Sequence, residues 1–253
     1  MPSRLVLQIL AAGAIALGTT VAAHAEQTNV AVAANFTDAA NAIAQAFEDK
    51  TGHEAILSFG STGQLYTQIT QDAPFEVFLA ADDERPGKAI DEGLAVVGSQ
   101  FTYAIGKIVL WSKDADLVHG EGTLTNGDFT RIAIANPATA PYGAAAVQAM
   151  QAIGVYDRLE PKIVRGNNIA QTYQFVETGN AELGFIALSQ VMSTSDGSRW
   201  EVPAGLYRPI RQDAVLLGKG AGSEAAKAFV AFLQGPEAAL IIARYGYGTG
   251  ASS

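Results

Sequence analysis

Four segments of this chain repeat one pattern: an apolar run with strand composition, a short polar turn without an acidic residue, and the start of a helix. The turns cover residues 33–37, 59–64, 140–143 and 166–171. Alternating strands and helices are typical of a mostly parallel sheet that carries helices on both faces. Because turns at the carboxyl ends of such strands lie along one edge, the pattern predicts that the four turns come together.

The composition of these turns is typical of an anion site. A helix start offers unpaired N–H groups and the positive end of the helix dipole. Asn, Ser, Thr and Gly let an anion approach that backbone closely. Each turn taken alone is an ordinary helix cap, but the set of four predicts a cage of neutral donors. Such donors suit a fully deprotonated tetrahedral dianion, whereas a carboxylate acceptor would favour a protonated species such as hydrogen phosphate.

Hydrophobic spacing divides the chain into two α/β units, at residues 28–92 and 131–188. Two β-rich runs, at 103–112 and 207–217, are predicted to cross between them. We therefore expect a two-lobe binding protein with its site between the lobes; one doubly wound domain with a long meander is the alternative. The predicted bounds are 26–105 plus 213–253 for lobe 1 and 106–212 for lobe 2, after a leader at 1–25.

The leader prediction rests on the order of residue types in residues 1–25. Arg4 gives a positive start, residues 5–17 are mostly apolar, and residues 23–25 form a small-x-small cleavage site. A membrane anchor is the alternative, but the apolar stretch is short and interrupted by polar residues and glycines. We expect a cleaved signal peptide, a mature chain that begins at Glu26, and a periplasmic location.

Charge and cysteine content exclude several classes of protein. The chain has 16 basic and 25 acidic residues, a net charge of −9. This balance argues against a nucleic-acid partner, and it also means that an anion must be held by dipoles at short range. Cysteine is absent, which removes thiol catalysis, zinc–thiolate sites and lipid attachment through a cysteine.

The motifs at the turns closely resemble those of periplasmic molybdate-binding proteins of ABC transporters. They are Ala33-Ala34-Asn35-Phe36, the run 59–65, Pro141-Tyr142-Gly143 and the stretch 168–185. The likeness extends from Asn29 to about Gly246. It implies an α/β, two-lobe type II periplasmic binding protein fold, in which each lobe is a mostly parallel sheet flanked by helices and two crossover strands join the lobes.

The resemblance also implies what the protein does. Members close on molybdate or tungstate and deliver it to the membrane permease of an ABC importer. We expect a monomer without catalytic activity and without a cofactor; molybdenum would be bound only as its oxyanion, with no direct metal ligand.

Position by position, the resemblance assigns oxyanion contacts to five residues. Asn35 is a donor at the first turn. Thr62 supplies the hydroxyl of the second turn, with Ser61 beside it as a second donor. Tyr142 lies at the third turn, and Ile169 contributes its backbone N–H at the fourth. Replacing Thr62 by alanine or Tyr142 by phenylalanine is expected to weaken binding with little change in the stability of the free protein.

One departure from the family pattern bears on this assignment. Many members have a ligand-contacting tyrosine where this chain has Ala187, so Tyr142 would have to supply that hydroxyl from another turn. Ala34, where some relatives have threonine, offers only its backbone. Arg165, next to the fourth turn, is expected at the rim or in a salt bridge between the lobes.

Other residues and functions fit less well. The acidic run 82–84 is interpreted as a solvated loop, and His53 and His119 as surface residues. The nearest alternative function is the same fold tuned for sulfate or thiosulfate. A periplasmic dehydratase needs a positioned acid or base that the turns do not supply. The effector domain of a transcription regulator lacks support, because no basic helix-turn-helix precedes the first unit.

Overall fold

A computed structural model describes residues 25–248. The predicted signal peptide, except for its last residue, and residues 249–253 lie outside that range. The strands are β1 Gln27–Ala33, β2 Glu54–Gly60, β3 Val77–Leu79, β4 Phe101–Gly106, β5 Ile108–Ser112, β6 Ile132–Ala135, β7 Ile163–Gly166, β8 Leu183–Ala187, β9 Ser198–Glu201 and β10 Ile210–Leu216. The α-helices are α1 Thr37–Thr51, α2 Thr62–Thr70, α3 Glu84–Asp91, α4 Glu121–Asn126, α5 Pro141–Ile153, α6 Tyr156–Leu159, α7 Ile169–Glu177, α8 Glu224–Leu233 and α9 Pro236–Arg244.

The strands form two five-stranded sheets, each the centre of one lobe. Their orders are β2-β1-β3-β10-β4 and β7-β6-β8-β5-β9. Strands β4 and β5 follow each other along the chain but belong to different sheets, and β10 returns from the second lobe to the first sheet. The predicted two-lobe α/β fold with two crossovers is therefore confirmed; the predicted residue bounds of the lobes stay a prediction.

Each sheet is mixed rather than mostly parallel. In the first sheet β1 runs parallel to β2 and β3, whereas β10 is antiparallel to β3 and β4. The second sheet repeats this arrangement, with β6 parallel to β7 and β8 and with β5 antiparallel to β8 and β9. The antiparallel pairs arise because the crossover strands enter each sheet from the other lobe.

The central strands are buried on both faces, which explains their nearly continuous apolar sequence. Successive side chains of a strand point to opposite faces. Val30 therefore packs in one cluster with Phe47 and Phe229, while its neighbour Ala31 packs in another with Leu65. Helices thus cover both faces of the first sheet, and its strand ends are the part left open for a site.

Gly143 fixes how closely the third turn packs on its strand. A Cβ atom at this position would lie 2.0 Å from the carbonyl oxygen of Ala135, far inside van der Waals contact. Because residue 143 has no side chain, helix α5 can begin directly against the end of β6.

Three short elements were not predicted from the sequence: α4, α6 and β9. Each has four to six residues, too few to show a hydrophobic period. Among the described residues no single helix is long and apolar enough to cross a membrane. Helices α8 and α9, bent by 60° at their junction, together reach the required length and apolar composition.

Replacing Glu182 by glutamine should lower the stability of the second lobe in a pH-dependent way. Its carboxylate accepts hydrogen bonds from the backbone N–H groups of Thr130 (3.0 Å) and Arg131 (2.9 Å). Burial alone would raise the pKa of Glu182, but these bonds outweigh it and hold the pKa below its ordinary value. A lowered pKa contributes stability that is present above the unfolded-state value and lost as the pH falls through the folded-state value.

We expect Glu182→Gln to lower the free energy of unfolding by about 1 kcal/mol at neutral pH, since the carboxylate is exposed and screened. The difference from the parent should shrink as the pH falls below the ordinary pKa of glutamate, and it should vanish once the pH has passed through the lowered folded-state pKa. Urea titrations at neutral pH and in acid measure this difference, with the exposed Glu48→Gln as the matched control. A loss that persists unchanged in acid would contradict this account.

Candidate functional site

The four turns do come together. A small cavity of about 10 Å³ is lined by residues of both lobes. All five predicted contact residues lie on it. The complete lining is Ala33, Ala34, Asn35, Gly60, Ser61, Thr62, Ala81, Ala140, Pro141, Tyr142, Asn168 and Ile169. Among these residues none carries a charge, and the starts of four helical segments face one space.

Asn35 lies at the first turn, in the short helix Ala34–Phe36, and is 4% exposed. Its Nδ2 lies 2.7 Å from Oε1 of Gln212, 3.2 Å from the hydroxyl of Tyr247 and 3.3 Å from that of Tyr142. The side-chain amide therefore already has acceptors within the protein. What this turn offers to the cavity is the set of N–H groups at the helix start, which have no partner within their own helix.

Thr62 presents a hydroxyl whose proton is available. It is the first residue of α2 and is 1% exposed. Its Oγ1 accepts a hydrogen bond from the backbone N–H of Ala81 at 3.0 Å, which leaves the hydroxyl free to donate. The same bond changes the expectation for Thr62→Ala: because Ala81 would lose a buried acceptor, the free protein should be destabilised as well.

Ser61 acts as the N-cap of α2. Its Oγ accepts from the backbone N–H of Gln64 at 3.4 Å and donates to Oε1 of the same residue at 2.8 Å. The hydroxyl therefore lines the cavity with its proton turned toward Gln64. Rotation of the hydroxyl would be needed before Ser61 could donate to a ligand.

Tyr142 brings a phenol from the second lobe to this space. Its side chain is 2% exposed, and its oxygen accepts from Nδ2 of Asn35 and Nε2 of Gln212, each at 3.3 Å. Burial raises the pKa of Tyr142 well above its ordinary value, and the neighbouring phenols of Tyr247 and Tyr103 add to that effect. The phenol therefore stays neutral and keeps its proton at physiological pH.

The fourth turn contributes backbone. Asn168 caps α7 by accepting the N–H of Gln171 at 2.9 Å, so its side-chain oxygen is already used. Ile169, the first helical residue, has an N–H without an intrahelical partner. Gln190 braces this turn, since its Nε2 donates to the carbonyl of Ile169 at 3.2 Å and its Oε1 accepts the N–H of Ala187 at 2.9 Å. Ala187 is fully buried and is not among the lining residues.

Four polar residues next to the cavity were missed by sequence reasoning: Tyr103, Ser189, Gln212 and Tyr247. They surround Asn35, whose carbonyl accepts from Ser189 Oγ at 3.0 Å and from the Tyr247 hydroxyl. No sequence signal singles out Gln212, because it stands between the polar residues Arg211 and Asp213 and its burial follows only from the fold. The others lie far from the turns in sequence, and only the tertiary fold brings them there.

The two lobes touch directly beside the cavity. The N–H of Gly63 in α2 donates to the carbonyl of Thr139 at 2.8 Å. The guanidinium of Arg85 donates to the carbonyl of Ala138 at 3.3 Å. Both acceptors belong to the segment before α5, so this arrangement is a closed one in which the lobes meet around the site.

Charged residues outside the cavity form other contacts. Arg165 is half exposed and lies 4.0 Å from Glu160 of its own lobe, so the predicted salt bridge between the lobes is wrong. Arg165 is not among the residues that line the cavity. Asp82 is paired with Arg85 and is 16% exposed, which makes the prediction of a fully solvated loop wrong for that residue. Burial raises the pKa of Asp82 despite this partner.

Within the described range, no group of three or more His, Cys, Asp or Glu could hold a metal ion.

Known proteins and a family model match this chain over both lobes. A family model described as bacterial extracellular solute-binding protein matches residues 28–248. The molybdate-binding protein ModA of Rhodobacter capsulatus is 55% identical over 246 residues, which cover 96% of this chain and 98% of that protein. A molybdate-binding protein ModA of Azotobacter vinelandii is 54% identical over 250 residues, with 97% of each chain covered. A solved structure, the Azotobacter vinelandii periplasmic molybdate-binding protein, matches with a TM-score of 0.84 and 40% identity over 87% of this chain and 98% of that one.

Proposed function

Since this chain belongs to the bacterial extracellular solute-binding proteins, and among them to the molybdate-binding proteins, we propose that it captures molybdate between its lobes in the periplasm and delivers it to the membrane permease of an ABC importer. The observation that carries this proposal is the uncharged cavity on which four helix starts converge. A site of this kind binds an anion by dipoles and hydrogen bonds alone.

The donors available are sufficient in kind for a dianion. Removing such an ion from water costs tens of kcal/mol in an idealised apolar medium. Each charge-assisted hydrogen bond contributes about 1.5–3 kcal/mol net, and the helix starts add to this. We assign the hydroxyl protons of Thr62 and Tyr142, and the backbone N–H groups at Asn35 and Ile169, to the four oxygens. Ser61 is a further donor if its hydroxyl turns from Gln64.

Binding would act on the equilibrium between open and closed lobes. The contacts come from both lobes, so an anion in the cavity has a higher affinity for the closed arrangement and shifts the population toward it. The closed form is then what the permease recognises. Tungstate, which has the same charge and tetrahedral shape, should bind in the same way.

The remaining features of this function follow from the same site. The lining holds no carboxylate or imidazole that could act as a general acid or base, which supports a binding protein rather than an enzyme. We propose a monomer that is exported by a signal peptide cleaved after Ala25, with lobe bounds at 26–105 plus 213–253 and 106–212.

Thermal unfolding with different oxyanions tests the proposal. A ligand at 100 times its dissociation constant stabilises the native state by about 2.7 kcal/mol, so micromolar molybdate and tungstate should both raise the melting temperature. Sulfate at the same concentration should leave it unchanged. Calorimetric titration gives the affinities, and elemental analysis of the natively purified protein should detect molybdenum or tungsten. Stabilisation by sulfate but not by molybdate would instead support a sulfate receptor.

A further inference from the structure

We propose that Gln212, which does not line the cavity, is a positioning residue that makes the Tyr142 hydroxyl a donor toward the ligand. The inference rests on the proposed function, because it concerns how the same site presents one of its donors. It assigns a role in anion selection to a residue of the crossover strand β10, which acts through a phenol on α5.

The strand that carries Gln212 is shaped to turn this side chain inward. Along β10 the register against β4 shifts between Gln212, which faces Ala104, and Asp213, which faces Thr102. Such an irregularity re-aims side chains that would otherwise alternate between the two faces of a sheet. Here both consecutive polar residues are buried, Gln212 completely and Asp213 to 4% exposure.

Hydrogen bonds fix the orientation of the Gln212 amide. Its Oε1 lies 2.7 Å from Nδ2 of Asn35 and 3.2 Å from the hydroxyl of Tyr103. Turning the amide over would place one NH₂ group against another, so the oxygen must face Asn35. The nitrogen Nε2 then faces the phenol oxygen of Tyr142 at 3.3 Å and can only donate to it.

Gly106 provides the room for this contact. A Cβ atom at that position would lie 2.2 Å from the Tyr142 hydroxyl and 3.0 Å from Nε2 of Gln212. Because residue 106 has no side chain, the phenol reaches across the end of β4 to the glutamine.

The consequence concerns which anions the site accepts. A phenol oxygen that already accepts hydrogen bonds from Gln212 and Asn35 is left with its own proton to offer. It can donate to a fully deprotonated oxyanion, but it cannot accept the hydrogen of a protonated one. The pair therefore favours a molybdate-type dianion over hydrogen phosphate.

A double-mutant cycle tests whether Gln212 acts through Tyr142. Calorimetric titration with molybdate is carried out on the parent, Gln212→Met, Tyr142→Phe and the double variant. We expect each single change to weaken binding about tenfold. In the Tyr142→Phe background, Gln212→Met should cost less than about twofold, because the hydroxyl it positions is already gone. Gln148→Met, which removes a partly buried amide on α5 that accepts the N–H of Arg208, is the control and should leave the affinity unchanged.

Two outcomes would overturn the positioning role: an equal loss from Gln212→Met in both backgrounds, or no loss in either. If Gln212→Met does not fold, Gln212→Asn keeps a neutral amide, shortens its reach to the phenol and allows the same cycle. The parent should also bind molybdate at least 100-fold more tightly than phosphate, and Gln212→Met should narrow that ratio. Failure of the parent to bind molybdate contradicts the proposed function itself, and the two failures are thereby distinguished.

Discussion

Replacing Gly63 by valine is expected to weaken molybdate binding roughly 100-fold while the ligand-free protein stays folded. Gly63 lies in the first turn of α2, where its N–H donates across the cleft to the carbonyl of Thr139. A Cβ atom there would lie 3.0 Å from the Cα and 3.1 Å from the carbonyl oxygen of Thr139. These are backbone atoms, which cannot rotate away as a flexible side chain can, and the two methyl groups of valine would enlarge the overlap.

The effect should fall on the closed arrangement alone. Thr139 belongs to the other lobe, so separation of the lobes removes the overlap. Glycine is also a poor residue inside a helix, costing up to about 1 kcal/mol relative to alanine. Gly63→Ala should therefore leave the free protein as stable as the parent or slightly more so, and still lower the affinity, by less than valine does.

Titration calorimetry gives the affinities for this series, and small-angle scattering reports whether molybdate still makes the protein more compact. Gly122→Val is the matched control, since Gly122 also lies in a helix and has open space around it. If Gly63→Val bound molybdate as tightly as the parent, the closed arrangement would not be the ligand-bound state.

Much of the fold could be predicted because its signals are local. Gly52, with a positive φ of 77°, ends α1 where the sequence indicated, and Ser61 and Asn168 cap the helices that they precede. The run of apolar residues around Val30 fits a strand buried on both faces. Pairing direction was harder to predict, because whether a crossover strand runs parallel or antiparallel depends on the path of the chain between lobes.

The cavity was predictable for the same reason, and its internal bonding was not. All four turns end strands, so elementary topology brings them to one place. Which protons are free depends on tertiary partners that no local pattern reveals. Asn35 uses its side-chain amide on Gln212, and Thr62 accepts from Ala81 across 19 residues of sequence. These two contacts change the roles that the sequence suggested. Asn35 offers its backbone rather than its side chain, and Thr62 accepts a hydrogen bond as well as donating one.

The double role of Thr62 leads to the second prediction with a large effect. Thr62→Val preserves the branched shape but removes the hydroxyl, so the anion loses a charge-assisted donor worth about 1.5–3 kcal/mol. We expect the affinity for molybdate to fall about 10- to 150-fold. In addition, the N–H of Ala81 is left buried without its acceptor, which should lower the free energy of unfolding of the free protein by about 1–3 kcal/mol.

Two further variants separate these effects. Thr62→Ser keeps the hydroxyl, so it should retain most of the affinity and most of the stability. Thr67→Val makes the same chemical change in the same helix, where the hydroxyl bonds only the carbonyl of Gly63, and it should leave molybdate binding within about twofold of the parent. Calorimetric titration measures the first quantity, and urea unfolding without ligand measures the second. A Thr62→Val protein that lost stability but bound molybdate normally would show that this hydroxyl serves only Ala81, and Thr62 would then have to be removed from the proposed cage.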